Sequence, residues 1–362
     1  MSESDTDTGR KQRNSTLEVL RIISMLLIVF HHAFNWGAME LPEGLGLNTI
    51  VYGMGMFCGQ IGVVVFFLIT GYFMVTQKFT VRKLVRMVLE IWFYSWSILL
   101  LDILFGDPQP TTYMYCLFPL STCHWWFVEA YIALMILSPF INRILNSINA
   151  RRHLLICAIL FFLTYVGYIM EGRARYAAAF GTAVTVYVIA AYIRLHPNEK
   201  TESKRTGAII LAASLAFDIA LLVVSASYFD TDTYRAIVEF FDKRTSVNEL
   251  MAGLGLFLIF VNMKPRYSKT VNAVAASTFG VYLIHQSIPV KHVMWSDWLE
   301  MDVMFAEPWF PLYAIGCALA VFSICVLIDK LRVKLVFEPL NARIENLTAR
   351  VEAKVDKMMG RF

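Results

Sequence analysis

The chain has 362 residues, of which 57% are hydrophobic and only 17% charged, with mean hydropathy +0.57 and formal net charge +4. Soluble domains carry about 25% charged residues, so an ordinary soluble multi-domain protein is excluded and a chain covered by lipid is implied. The six cysteines show no metal-ligand spacing.

Residues 1–16 are polar, acidic and then basic, and read as a disordered cytoplasmic N-terminus. A bilayer-crossing helix needs roughly 17–25 mostly apolar residues. Ten stretches qualify: 17–37, 58–76, 84–105, 124–142, 154–170, 176–195, 207–228, 247–263, 272–290 and 310–329. Residues 154–195 can also be read as one broken unit. In lipid the backbone must satisfy its own hydrogen bonds, so the expected fold is all-α, a polytopic bundle over 17–330. The first stretch is too long for a signal-peptide core and no small-residue cleavage site follows, so it is expected to be retained. The longest connections, 38–57, 106–123, 229–246 and 291–309, are rich in Trp, Tyr, Pro and acidic residues and suit a cap over a site. Cys116 and Cys123, in or beside the second of these, could be a disulfide or two thiols. From 331 to 362, Ile344, Leu347, Val351, Val355 and Met358 recur at helical spacing among charged residues. That tail reads as an amphipathic helix on the inner membrane surface, with a self-association seam giving a homodimer as the lesser option.

Lys and Arg placement tests the count. With the N-terminus inside, 25 of the 32 basic residues fall on the cytoplasmic side, six fall outside, and Arg21 lies within the first span. Positive charge resists translocation, so ten spans with both termini cytoplasmic are expected. Topology thus accounts for the net charge without a nucleic-acid partner, although basic residues at the inner leaflet would also attract anionic lipid headgroups.

Ionisable groups within hydrocarbon are costly and usually face a protein-lined cavity. The first span holds Arg21, His31 and His32. From Arg21 to His32 is eleven residues, about 20° beyond three full turns and about 16.5 Å along the axis. The two therefore share one face, and His31, about 80° from Arg21, is the poorer candidate. His124, followed by Trp125 and Trp126, opens the fourth span at its outer end. His285, one turn from Tyr282, lies in the outer half of the ninth. Three histidines at one depth suit general base chemistry. Zinc binding is the weaker use, for want of a close ligand pair, and plain hydrogen bonding in a wet interface is the bland one. Glu129 lies one turn inward of Trp126 and could orient a histidine. Glu90, Asp102 and Asp218 are the other carboxylates in or near the spans, with neighbouring-helix hydrogen bonds as the simplest account of both Glu129 and Asp218. Gly62 to Tyr72 ends the second span with small residues suited to close packing, and Lys83 and Arg86 follow one turn apart.

These residues resemble the acyltransferase-3 family of membrane O-acyltransferases, which modify cell-envelope sugars and related acceptors. The resemblance rests on Leu17-Glu-Val-Leu-Arg21 with ten residues before His32, and on the Gly62-Val-Val-Val-Phe-Phe-Leu-Ile-Thr70-Gly71-Tyr72 run. It continues through Lys83 and Arg86, His124-Trp-Trp126-Phe127 with Pro139 downstream, and Ser277-Thr-Phe-Gly-Val-Tyr282-Leu-Ile-His285. The set keeps the family's order over about 17–290. It implies an acyl-CoA donor, usually acetyl-CoA, arriving from the cytoplasm, and no permanently bound cofactor. It also implies an outer envelope glycan or glycolipid acceptor, a bacterial plasma membrane location, and essential roles for Arg21 and His32. Three departures bear on donor choice and packing: Thr70 replaces the commoner serine, Lys83 replaces arginine, and the proline expected after Arg86 is missing. The expected catalytic group is then His32, Arg21, His285, His124 and Glu129. Arg21, Lys83, Arg86, Thr70 and Tyr72 are expected to meet the donor, and Trp126 and Tyr282 the acceptor. His32 would act as general base or as acyl carrier. A transporter or flippase is the competing reading, weakened by the lack of a visible internal repeat, and a sensory module using the tail is a third.

Overall fold

The computed structural model describes residues 14–122, 125–166 and 175–359. Residues 1–13, including most of the N-terminal segment expected to be disordered, fall outside that set, as do Cys123 and His124. Among the described residues there is no strand, and the protein is an all-α membrane bundle. Its helices are α1 (Ser15–Trp36), α2 (Leu47–Met74), α3 (Val81–Phe105), α4 (Pro110–Leu117), α5 (Trp126–Leu145), α6 (Ala150–Phe161), α7 (Arg175–Leu195) and α8 (Lys204–Tyr228). They are followed by α9 (Thr231–Phe241), α10 (Val247–Val261), α11 (Lys269–Ala275), α12 (Thr278–His285), α13 (Ile288–His292), α14 (Met301–Met304), α15 (Phe310–Arg332) and α16 (Asn341–Met359).

Seven helices among the described residues are long and apolar enough to cross a membrane: α1, α2, α3, α5, α7, α8 and α15. The other three expected stretches hold shorter pieces. Here α10 spans 15 residues, α6 runs on into a π-helical turn over Phe162–Val166, and the ninth stretch is broken between α11 and α12. Several helices begin at residues whose side chains accept an orphaned backbone N–H, among them Asn14, Asn149, Ser203, Asp230 and Ser268.

The centre of the bundle is α2, 83% of whose apolar window is buried against 22% for α8 at the periphery. Leu100, Leu104 and Phe105 on α3 and Leu154, Leu155 and Leu163 around α6 stay exposed, as lipid-facing surfaces do. Close approach of α1 to α2 depends on two glycines. A Cβ at Gly59 would lie 2.4 Å from the His31 ring, and one at Gly62 would lie 2.6 Å from the Ser24 carbonyl oxygen. The glycine-containing run at the end of α2 therefore has a packing role, which holds the histidine-bearing face of α1 against the core.

Hydrogen bonds gather the basic connectors at one end. The Ser15 N–H donates to the Arg266 carbonyl, Asn142 to Met74, Asn146 to Val75 and Asn262 to Thr201. Arg82 and Arg86 both bond Glu345 of α16, so the tail helix docks at that same end. Two groups of buried charges between spans are hydrogen-bonded, which offsets the cost of the low dielectric. Arg332 bonds Asp329 at 2.8 Å and Glu90 at 2.9 Å, and the Tyr94 hydroxyl donates to Asp329. Asn248 donates to Asp218 at 2.6 Å, the neighbouring-helix bond expected of that mid-span carboxylate.

Candidate active site

His32 and His285, 253 residues apart, meet in the core. His285 Nδ1 lies 2.6 Å from the Val281 carbonyl oxygen, one turn back on α12, and its Nε2 lies 2.8 Å from His32 Nδ1. A carbonyl oxygen only accepts, so for neutral rings the His285 proton sits on Nδ1 and its Nε2 holds a lone pair. His32 Nδ1 must then donate to it. The proton of His32 is thereby fixed on Nδ1, which leaves a lone pair on Nε2. Both side chains are buried, His285 completely. His31 turns the other way: its Nδ1 donates to the Met56 carbonyl at 2.7 Å and lies 3.9 Å from Asp242.

An aromatic path links this pair to the other end of the bundle. The Tyr282 ring is centred 6.5 Å from His32 and 5.5 Å from Phe127, and Phe127 is 5.5 Å from Phe66. The Arg21 guanidinium lies 5.9 Å from the Phe66 centroid, and its Nη1 is 3.4 Å from Glu18. The Nε of Arg21 is buried and makes no hydrogen bond. Beside it, Tyr131 of α5 sits in the field of Arg21 and against Thr70. Thr70 itself donates to the Phe66 carbonyl of its own helix. The remaining residues expected to meet a donor lie beyond this point, toward the end that gathers the basic connectors. The Tyr72 hydroxyl accepts from Arg194, Lys83 donates to Gln77, and Arg86 is engaged by Glu345 and Asn341 of α16.

On the far side of the histidines opens a polar cavity of about 580 Å³ whose walls include Asn35, Glu40, Tyr52, Arg235, Glu239 and Asp242. The chain leaves α1 and crosses this cavity through Ala38, whose φ of 51° is left-handed and costly for an L-residue. Burial pushes the Asp242 carboxyl well above its usual range, although the hydrogen bond from Gln60 and the charge of Arg244 oppose it. The neighbouring Arg244 stacks its guanidinium 4.2 Å over Trp126, and its charge and that of Glu129 both act on Tyr282. Lys291, above α12, lies 3.8 Å over Trp36, and burial lowers its pKa. A second groove, about 650 Å³ and mostly apolar, opens between α8, α9 and α10 away from the histidines.

The structure thus groups His32, His285 and Tyr282, with Glu129 and Trp126 on α5 beside them and Arg21 and Thr70 farther along the same path. His124 lies outside the described residues. Asp242, Arg244, Arg235 and Glu239 are residues that the sequence reading did not single out. Their only signal was membership in the loop expected to cap a site, where Arg235 and Arg244 counted only toward topology. A family model described as "Acyltransferase domain" matches residues 14–329, nearly the whole chain. No curated protein and no solved structure matches. The chain belongs to this acyltransferase family.

Proposed function

We propose that this acyltransferase-family protein moves an acyl group, acetyl by preference, from acyl-CoA at the Arg21 end to a hydroxyl presented in the polar cavity. The end that gathers the basic connectors is assigned to the cytoplasm. The donor's phosphates meet basic groups there, and its thioester reaches inward past Arg21, Thr70 and the Phe66–Phe127 path. The acceptor is an extracytoplasmic envelope sugar or a related polyol.

The observation that carries this reading is the tautomer chain from Val281 through His285 to His32. It leaves His32 Nε2 unprotonated, the state that a base needs. As the acceptor oxygen attacks the thioester carbonyl, Nε2 takes the hydroxyl proton. The carbon–sulfur bond then breaks as the new carbon–oxygen bond is kept, and the proton passes to the departing thiolate, giving an ester and free CoA. The Tyr282 hydroxyl is the nearby donor suited to the transient oxyanion. The same lone pair serves a two-step route in which Nε2 carries the acyl group first.

Purified protein in lipid vesicles should hydrolyse acetyl-CoA or transfer its acetyl group, and His32→Ala should abolish both. Undiminished turnover in a folded His32→Ala protein would refute the assignment. Uptake of a sugar or lipid into vesicles lacking any acyl donor would favour transport instead.

A further inference from the structure

We infer that the groove between α8, α9 and α10 is a binding site for an acidic membrane lipid, whose phosphate pairs with Lys243 while its chain lies along the apolar wall. The site lies away from the histidines and stands whether or not the acyl-transfer reading does.

The groove lies deep because α9 turns back into the bundle. The Phe241 ring at the end of α9 is 5.9 Å from that of Phe217 on α8, and Asn248 at the start of α10 donates to Asp218 and to the Ser214 carbonyl. Residues 242–246 therefore sit level with Phe217. At 1.5 Å per residue, that level is about 19.5 Å from Lys204 and about 16.5 Å from Tyr228, the two ends of the crossing helix α8. Lys243 is thus carried to mid-height of the span. Its stem reaches little farther than one helical turn, about 5.4 Å, so the ammonium cannot snorkel to either surface. It rests 4.6 Å over the Phe240 ring instead. Ile209, Phe217, Phe240 and Met251 are exposed in the groove, and among the described residues Lys243 is the one charged residue lining it. Each neighbouring charge is directed elsewhere. Glu239 and Asp242 line the polar cavity on the other side of α9, Arg244 stacks on Trp126, Asp218 is bonded to Asn248, and Glu249 is only 1% exposed. Among the described residues no carboxylate lies within ion-pair distance of Lys243. An ammonium left bare at that depth is costly. The least buried of the crossing helices is α8, so what meets the groove is lipid. An anionic headgroup supplies the missing counter-charge. The Ser246 hydroxyl accepts the Glu249 N–H at the start of α10 and keeps its own proton for a phosphate oxygen. Below the lysine, Ile209 stands about 12 Å along α8 from Phe217, which gives the chain a wall to lie on. A zwitterionic lipid would bring its own ammonium toward Lys243, so the groove favours a head with phosphate and no amine. Its volume, about 650 Å³, is that of a small-molecule site.

The test uses the full chain in phosphatidylcholine nanodiscs doped, at equal mole fraction, with chain-diazirine analogues of phosphatidylglycerol or phosphatidylcholine. After irradiation, peptide mass spectrometry reports labelling of residues 209–217 and 247–251, with the lipid-facing peptide 312–328 of α15 as reference. Relative to that reference, phosphatidylglycerol should label the groove about fivefold more than phosphatidylcholine does, the preference that one basic residue gives to an anionic lipid. Lys243→Arg should keep the preference, and Lys243→Gln should bring it close to one. If Lys243→Gln does not fold, the wild-type preference and its map remain the test. Equal groove labelling by the two lipids in the wild type, or an undiminished preference in folded Lys243→Gln, overturns the lipid site. Inorganic phosphate that displaces the labelled lipid at equal concentration would show a site for free anions and overturn the lipid assignment as well.

Discussion

Removing the His285 imidazole tests the tautomer chain directly. In His285→Ala, the His32 Nδ1–H loses its acceptor at 2.8 Å inside a buried site. Leaving such a donor unsatisfied costs about 1–3 kcal/mol. His32 can avoid that cost by moving its proton to Nε2, the position from which it can no longer act as a base. Either way the reactive form is disfavoured by the same order, which at 1.36 kcal/mol per decade is a loss of roughly 5- to 150-fold in kcat. The KM for acetyl-CoA should change little, because His285 does not lie at the Arg21 end. His285→Gln restores an acceptor oxygen and should recover part of the rate, which a void left by lost packing would not predict. Steady-state turnover of purified variants against pH gives the readout. A His285→Ala enzyme with unchanged kcat and pH profile, beside an inactive His32→Ala enzyme, would refute the relay.

Gly59→Ala should lower the melting temperature and activity together, since its Cβ would come within 2.4 Å of the His31 ring and overpacking costs about 1–3 kcal/mol. Gly316→Ala, with nothing within 4 Å of the added carbon, should be neutral or slightly stabilising in the same thermal assay. Asp242→Asn should raise the melting temperature at neutral pH, with the gain closing as pH falls toward about 4. The folded carboxyl holds its proton to higher pH than the unfolded one, with reference pKa 3.8, so ionisation erodes stability as pH rises. A gain independent of pH would show that Asp242 is not strained by burial. Glu345→Gln should free Arg82 and Arg86 and lower the KM for acetyl-CoA about two- to fivefold with kcat little changed, each exposed pair being worth only about 0.2–1 kcal/mol. A raised KM would show the tail contact to assist donor binding.

The architecture was legible because lipid imposes a simple rule on sequence: long apolar runs, broken by connectors whose basic residues sort by side. Among the described residues each of the ten expected stretches holds helix, but seven helices reach crossing length and the ninth stretch is split between α11 and α12. That break was invisible to hydropathy, since Ala275, Ala276 and Ser277 interrupt neither apolarity nor helical propensity strongly. At the site, Arg21 and His32 could be placed on one face by helical arithmetic alone, because they share α1. The meeting of His32 with His285 could only be suspected from their depths. Which ring nitrogen meets which needs side-chain geometry that no spacing encodes. The polar cavity was less accessible still. Its walls come from the end of α1 and the chain beyond it, from α2, and from the end of α9, three segments whose polar residues look ordinary when read singly. The physical reason is general: a span must declare itself in sequence because lipid touches its whole length. A polar pocket at the membrane's edge is built from residues that water would tolerate anywhere, and only their convergence in the fold reveals it.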